Sequence, residues 1–557
     1  MRLQPAQTDV VVVGSGAAGL TAAIVAAVAG LKVVVLEKTG YVGGASAWSG
    51  GVAWIPNNHL MAQAGASDSR ALAMQYVGAI AGEHLPREMF ETFLDHAPAT
   101  IEFLEKNTRA ARFASYRGPD YFPDLPGAVP HRSALALPFD GRELGEHLER
   151  LRPPLPQFSV FGGMQVNAED IAHLQHGLRS LRSFAHSARL IGRYASDRLA
   201  GRRGTRLVSG NALAARLFRA ALDLGIEVRT GCAATRLIAE GGRISALTYD
   251  GGATSATIFA RKGVILASGG VSASDEFRRQ FVPFAEHHVS MLPDGNVGDG
   301  IRMALALGAQ LGANKPSNAC LMPMSLLAEA NGRTIKYPHL AFDRCKPGSL
   351  MVGPSGRRFT NEAGCYHDVV KAMHANSIVP AYLIGDRRFL RRYGMGLARP
   401  APYPVRHLVR AGYLTEAPTL AALGAQIGID GTQLLATAER MNRYARSGID
   451  EEFGRGANSY NRFLGDPEHG PNPCLGEIGT GPFYALKILP GDVGTFRGLQ
   501  VNANAQVLDA NRQPLAGLYA CGLDFDSVLG GCYPGAGSMH GPNMTFAYVA
   551  ARHLAGA

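Results

Sequence analysis

A phenol stands beside a run of flexible backbone amides in Gly530-Gly531-Cys532-Tyr533-Pro534-Gly535-Ala536-Gly537-Ser538-Met539-His540-Gly541-Pro542, and a helical stretch follows at once. A side chain and backbone N–H groups aimed at one point form an oxyanion hole, which holds a carbonyl while negative charge builds on its oxygen. The chemistry such residues can do is therefore enolisation or hydride chemistry next to a ketone. A second chemical signature lies near the other end of the chain.

Residues 9–13 are a continuous β-branched run suited to a buried parallel strand. Gly14-Ser15-Gly16-Ala17-Ala18-Gly19 follows, then an alanine-rich helix to about residue 29, and residues 32–36 make a second strand that ends in Glu37-Lys38. The whole is a βαβ unit. Its glycines allow a tight turn and the approach of a pyrophosphate to the helix N-terminus, and Glu37 is placed to bind ribose hydroxyls. Gly43-Gly44-Ala45-Ser46 and Ser49-Gly50-Gly51 form a second glycine-rich passage soon after the acid. Read blandly they are turns. A flavin's ribityl chain and ring do need close backbone approach there, so FAD is the expected dinucleotide.

Further along, residues 211–230 read as another αβ passage, followed by a hairpin to about residue 249. Lys262-Gly263-Val264-Ile265-Leu266 then reads as a strand closing on Ala267-Ser268-Gly269-Gly270. Gly298-Asp299-Gly300 opens a helix for which Asp299 is the expected cap. From about 291 to 487 the composition turns irregular, rich in Pro, Arg, Tyr and Asn, and residues 517–522, ending in Cys521-Gly522, look like a strand returning to the first domain. The expected architecture is α/β: a Rossmann-like FAD-binding domain, a parallel sheet with helices, made from residues 1–290 and 488–557. An α+β catalytic domain, 291–487, is inserted into it.

Length, charge and cysteines set outer limits. With 557 residues the chain buries more than one domain's core. A net charge of +10 would suit nucleic acid or an anionic membrane, but no nucleic-acid-binding motif accompanies it. The seven cysteines are scattered without a Cys-x-x-Cys pair, which argues against a metal site and a disulfide framework. The apolar run at 10–36 is broken by glycines and changes period midway, so strand, turn and helix explain it better than a membrane span. A cytoplasmic enzyme with reduced thiols is expected.

Taken together, residues 14–19, Glu37-Lys38, Gly43-Gly44, Ser49-Gly50-Gly51, 266–270 and 517–522 resemble the FAD-binding fumarate reductase/succinate dehydrogenase flavoprotein superfamily. Within it, Tyr533-Pro534-Gly535-Ala536-Gly537 is similar to the 3-ketosteroid Δ1-dehydrogenases, as are Gly356-Arg357-Arg358-Phe359-Thr360-Asn361-Glu362 with Tyr366 and Gly491-Asp492-Val493-Gly494-Thr495. The similarity spans most of the chain and is weakest between about 110 and 205. It implies removal of two hydrogens from adjacent ring carbons beside a ketone, giving an enone and reduced FAD. By the same resemblance the Tyr533 hydroxyl and the Gly537 amide grip the carbonyl oxygen, Tyr366 takes the α-proton, and the flavin takes the β-hydride. Tyr121 matches the tyrosine that supports the base, with Tyr116 a rival. No histidine precedes the Gly-Gly pairs, so FAD is expected to bind non-covalently.

Residues 522–531 depart from the steroid enzymes' usual sequence, so small rings of the cyclohexanone or oxocyclohexane carboxylate type stand as the alternative substrate. The reverse enone reduction and a non-catalytic flavin or steroid binder are further alternatives. The sequence assigns no electron acceptor; a quinone-like one is compatible. A phenol base also has a cost: bringing a tyrosine from a reference pKa of about 10 to near 7 takes roughly 4 kcal/mol. His367 and His540 read as core or solvent-facing histidines before relay groups. Finally, residues 178–206 hold eight arginines and one acid, Asp197. Arg182, Arg189 and Arg193 alternate there with Leu178, Leu181, Phe184, Leu190 and Ile191, a pattern compatible with an anionic lipid surface or with an ordinary solvated face.

Overall fold

The computed structural model describes residues 6–175, 180–252 and 254–556. Strand β1 (Ala6–Val13), helix α1 (Ala17–Val28) and strand β2 (Val33–Glu37) form the expected unit. Val10, Val11 and Val12 are completely buried, and each such side chain contributes about 1.5–3 kcal/mol. β1 is sandwiched between two parallel neighbours, with Val10 to Val13 opposite Val33 to Leu36 on one side and Gly263 to Leu266 on the other. Glu227–Thr230 extends the parallel array beyond β2. Thr254–Leu266 carries it the other way to Pro514–Ala520. Cys232–Glu240, Arg243–Gly251 and Thr254–Leu266 make an antiparallel meander on the same sheet, eight-stranded among the described residues. Helix His540–Ala555 packs on α1, so both ends of the chain build this layer.

The second sheet, seven-stranded among the described residues, is organised about the long strand Phe483–Thr495. That strand pairs antiparallel with Ala319–Ala328, Ala381–Asp386 and Leu414–Ala417, and parallel with Val289–Ser290. The domain boundaries expected at 290/291 and 487/488 therefore fall at or inside elements of this sheet, which extends to Thr495. Pro490, Gly491 and Gly494 interrupt the β pattern in sequence, yet the strand's ladder continues through them. A third sheet of Val52–Trp54, Phe113–Ser115 and Ser133–Ala136 lies against the loop that carries Tyr533.

Helix Leu181–Leu199 holds the arginine-rich segment; Leu178 lies outside the described residues. Arg193 is drawn inward to Asp140 at 2.8 Å. Asp197 is buried against Thr205. Arg182 and Arg189 stay exposed beside Phe184 and Ile191, while Leu181 and Leu199 are 89% and 90% exposed. Asp299 is not the cap of its helix: Gly298 holds the cap position, and Asp299 pairs with Lys38 at 2.7 Å.

Candidate active site

One continuous cavity of about 710 Å³ joins the glycine loop to a cluster of tyrosines. At the glycine end, α1 begins at Ala17, so its first amides and positive end face the cavity. Gly14, Gly16 and Ala18 line it. Gly14 has φ +107°, and a Cβ there would sit 2.1 Å from the Ala267 carbonyl oxygen. The left-handed backbone alone costs an L-residue about 1–2 kcal/mol. Gly14→Ala is therefore expected to lose at least about tenfold in cofactor affinity, read from the flavin content of the purified protein.

Glu37 lines the cavity with one carboxylate oxygen accepting from the Ser15 N–H and hydroxyl and the other from Thr39. Lone pairs remain for ribose hydroxyls. Gly44, Ala45 and Ser46 also face the cavity. So do Ser49 and Gly50, and the Ser46 hydroxyl accepts the Ala17 N–H at 3.0 Å. Gly19, Gly43 and Gly51 do not line it. They allow close packing instead: a Cβ would meet the Gly14 carbonyl at 2.0 Å from Gly19, and Ser209 backbone at 2.3 Å from Gly51. Gly43 donates its N–H to the Ser15 carbonyl. Ala267, Gly269 and Gly522 complete the wall over the sheet edge.

Three residues of this half carry no motif. Asp524, fully buried, accepts the N–H groups of Ser268 and Gly270 and so shapes the loop. Asn296 donates to the Gly269 carbonyl at 2.7 Å. Arg152 lies over the Trp48 and Tyr41 rings and gives one N–H to Thr39, while its buried Nε has no hydrogen-bond partner among the described residues. Burial pulls its pKa below the ordinary guanidinium range. An unmet cationic donor in a glycine cradle fits a phosphate- and ribose-bearing group, so the residues present suit FAD.

At the other end Tyr366, Tyr533 and Tyr121 meet. Ring centroids lie 5.2 Å apart for Tyr366–Tyr533, 5.8 Å for Tyr121–Tyr366 and 5.7 Å for Tyr121–Tyr533. Tyr533, Gly537 and Tyr366 line the same end of the cavity, which brings the phenols and the backbone amide of Gly537 to one place. Tyr460, unmarked in the sequence, stacks on Tyr121 at 4.5 Å. Tyr116, the rival for Tyr121, packs edge-on to Phe463 instead. Burial raises Tyr366, Tyr533, Tyr121 and Tyr460 above the ordinary phenol range, and Tyr116 to about 12.

Several elements fix these rings. Tyr366 is the first residue of helix Tyr366–Ala375, whose positive end favours a phenolate. The Gly537 carbonyl accepts the Trp54 N–H, and a Cβ at Gly537, φ +87°, would sit 2.5 Å from the Val52 carbonyl oxygen. Tyr121 donates its N–H to the Pro534 carbonyl, which also accepts the Tyr76 hydroxyl. Beside Tyr121, Asp120 accepts from Trp54 Nε1 and pairs with buried Arg132, which also holds Asp68. Arg132→Ala would leave two buried carboxylates unpaired. A loss of about 3–5 kcal/mol in unfolding free energy is expected, measurable by denaturant titration. His367 is a clamp: its Nδ1 accepts the Leu321 N–H and its Nε2 donates to the Gly531 carbonyl. Burial lowers it to about 3, so it is neutral. His540 lines the cavity and is lowered to about 4 for the same reason.

A dinucleotide cradle joined to buried phenols and a free backbone amide defines an FAD-dependent oxidoreductase. Residues 9–539 match the FAD binding domain family. The chain is 36% identical over 557 residues to the 4-oxocyclohex-2-ene-1-carboxylate 5-dehydrogenase of Sinomonas cyclohexanicum, covering 98% of this chain and 93% of that one. It is also 36% identical over 566 residues to the 3-oxosteroid 1-dehydrogenase of Mycolicibacterium smegmatis, covering 98% and 97%. The solved 3-ketosteroid Δ1-dehydrogenase of Sterolibacterium denitrificans, in complex with 1,4-androstadiene-3,17-dione, superposes with a TM-score of 0.90 at 34% identity, covering 99% of each chain. The chain belongs to this family of FAD-dependent flavoproteins, oxidoreductases acting on CH–CH bonds, which includes the 3-oxosteroid 1-dehydrogenases.

Proposed function

We propose that this enzyme desaturates a cyclic ketone between its α and β carbons, with a 3-ketosteroid as the first substrate class. The observation that carries the reading is the packing of Tyr533 on Tyr366, with Gly537 on the same wall, at the end of a cavity that begins in a dinucleotide cradle. When bound, FAD supplies the acceptor for the β-hydride. Gly14, Gly16, Glu37, Ser46 and Arg152 hold it, non-covalently, so that denaturation releases free flavin.

At the reacting end, Tyr533 and Gly537 donate to the ketone oxygen and stabilise the charge that builds as the α-carbon loses its proton. Tyr366, as phenolate, takes that proton and becomes neutral. Tyr121 and Tyr460 extend the hydroxyl cluster behind it. The apolar surroundings of Met291, Met322, Phe496 and Leu340 keep water out.

The small-ring reading is supported by the relative acting on an oxocyclohexene carboxylate. We further propose a peripheral dock on anionic lipid through Leu181–Leu199, because this helix carries exposed arginines and apolar side chains and itself packs on helix Ala168–Gln175, whose Ala168 and Ile171 line the cavity.

The test is anaerobic mixing of the holoenzyme with 4-androstene-3,17-dione or with cyclohexanone. Bleaching of the flavin by the steroid alone supports the first substrate class, and bleaching by cyclohexanone alone moves the enzyme to small rings. If neither bleaches a flavin that dithionite reduces, the reading fails.

A further inference from the structure

Lys346 is a cation that the proposed reaction leaves without a task. It stands in the loop before strand Ser349–Val352 and lines the cavity together with Leu340, Phe342, Tyr460, Phe463 and Leu464. Its ammonium donates to the Gly465 carbonyl at 2.7 Å. The nearby carboxylate of Asp466 is engaged by Arg392 and by the Tyr393 hydroxyl, each at 2.6 Å. Among the described residues no carboxylate forms an ion pair with Lys346, whereas Lys38 and Lys315, also charged, each have one.

An ammonium carries three donors, and a half-buried charge among apolar side chains needs a partner. Burial pulls the Lys346 pKa below the ordinary lysine range, and the nearby Asp466 charge offsets it only in part. Its position relative to the chemistry is set by helix Ser459–Leu464. Tyr460 packs against Tyr121 within the reacting cluster, and Gly465, whose carbonyl accepts the ammonium, follows the last residue of the same helix. Lys346 thus lines the cavity at the end of that helix away from Tyr460.

We infer that the Lys346 end of the cavity is a carboxylate subsite, and that the preferred ring ketone bears a carboxylate on the side away from its carbonyl. The inference rests on the ketone-desaturation reading and names the substrate class for it. A single-ring keto acid and a steroid ketone with an acidic side chain share this chemistry.

The experiment compares wild-type holoenzyme with Lys346→Met and Lys346→Arg in anaerobic flavin bleaching. Four probes are used in two pairs: 4-oxocyclohexanecarboxylate with cyclohexanone, and 3-oxo-4-cholenoic acid with 4-androstene-3,17-dione. The quantity read is the ratio of kcat/KM for the acid over its neutral partner. Loss of a charge-assisted hydrogen bond is expected to lower that ratio about 10- to 100-fold in Lys346→Met, with most of it retained in Lys346→Arg. The pair in which the ratio falls identifies the ring system. An unchanged ratio in both pairs overturns the subsite while ketone bleaching preserves the desaturase; no bleaching by any probe overturns both. Should Lys346→Met fail to fold, the wild-type enzyme still decides. Cyclohexanecarboxylate should perturb its flavin spectrum at least about tenfold more tightly than methyl cyclohexanecarboxylate, and equal or weaker binding of the acid overturns the subsite.

Discussion

Tyr366→Phe is expected to slow flavin bleaching by a ring ketone about 10²- to 10⁴-fold, the range over which a positioned base contributes. Bound flavin and substrate half-saturation should change little, because the ring that packs against Tyr533 and Tyr121 is retained. The wild-type pH profile is the companion measurement. Burial first, then the neighbouring Tyr121 and Tyr533 charges, raise the Tyr366 pKa above that of an ordinary phenol. At neutral pH the hydroxyl is therefore protonated in nearly every molecule, and the competent phenolate is the minor form. The rate should climb with pH, up to about tenfold per unit. Tyr366→Phe should flatten that climb. A variant that bleaches at the wild-type rate would remove Tyr366 from the reaction.

The second large effect is expected at Tyr533→Phe. An oxyanion-hole donor is worth about 10²- to 10³-fold in the chemical step. Its loss should appear mainly in the bleaching rate at saturating ketone, because a donor that strengthens as charge develops contributes more to the transition state than to ground-state binding. The two variants separate by pH. Tyr533→Phe keeps the alkaline climb, since the base is untouched, and lowers the whole profile. Rapid-mixing traces across pH distinguish the two roles, and equal profiles for both variants would show that the residues do not divide the work this way.

What was legible in the sequence is what strong local rules govern. The valines of β1 and β2 and the glycines between them could hardly be anything but a strand–turn–helix–strand unit, because a left-handed turn and a buried parallel strand leave few residue choices. Tyr533 was visible because glycines and a proline stripped its surroundings of competing explanations. Tyr460 was invisible: it lies on a six-residue helix with no periodicity to mark it, and only tertiary packing brings it to Tyr121. Asp524 and Arg152 were missed for the same reason, since a carboxylate that accepts two loop amides and an arginine stacked on Trp48 leave no spacing signal. The strand Phe483–Thr495 hid behind Pro490 and two glycines. Asp299 looked like a cap because acids favour helix N-termini, but its partner Lys38 comes from the end of β2.

The pairing of Thr254–Leu266 with β1 on one side and Pro514–Ala520 on the other has a consequence for synthesis of the enzyme. The wall of the cofactor cradle includes Ala267, whose N–H bonds to β1, and Gly522, which follows the late strand. On the ribosome, the early strands must wait for more than half the chain before that wall can close. The waiting itself is thermodynamically cheap, because each doubling of a loop costs only about 0.6 kcal/mol. Its effect is kinetic: flavin capture becomes a late event, and the nascent nucleotide layer carries an open strand edge until residues near 520 arrive.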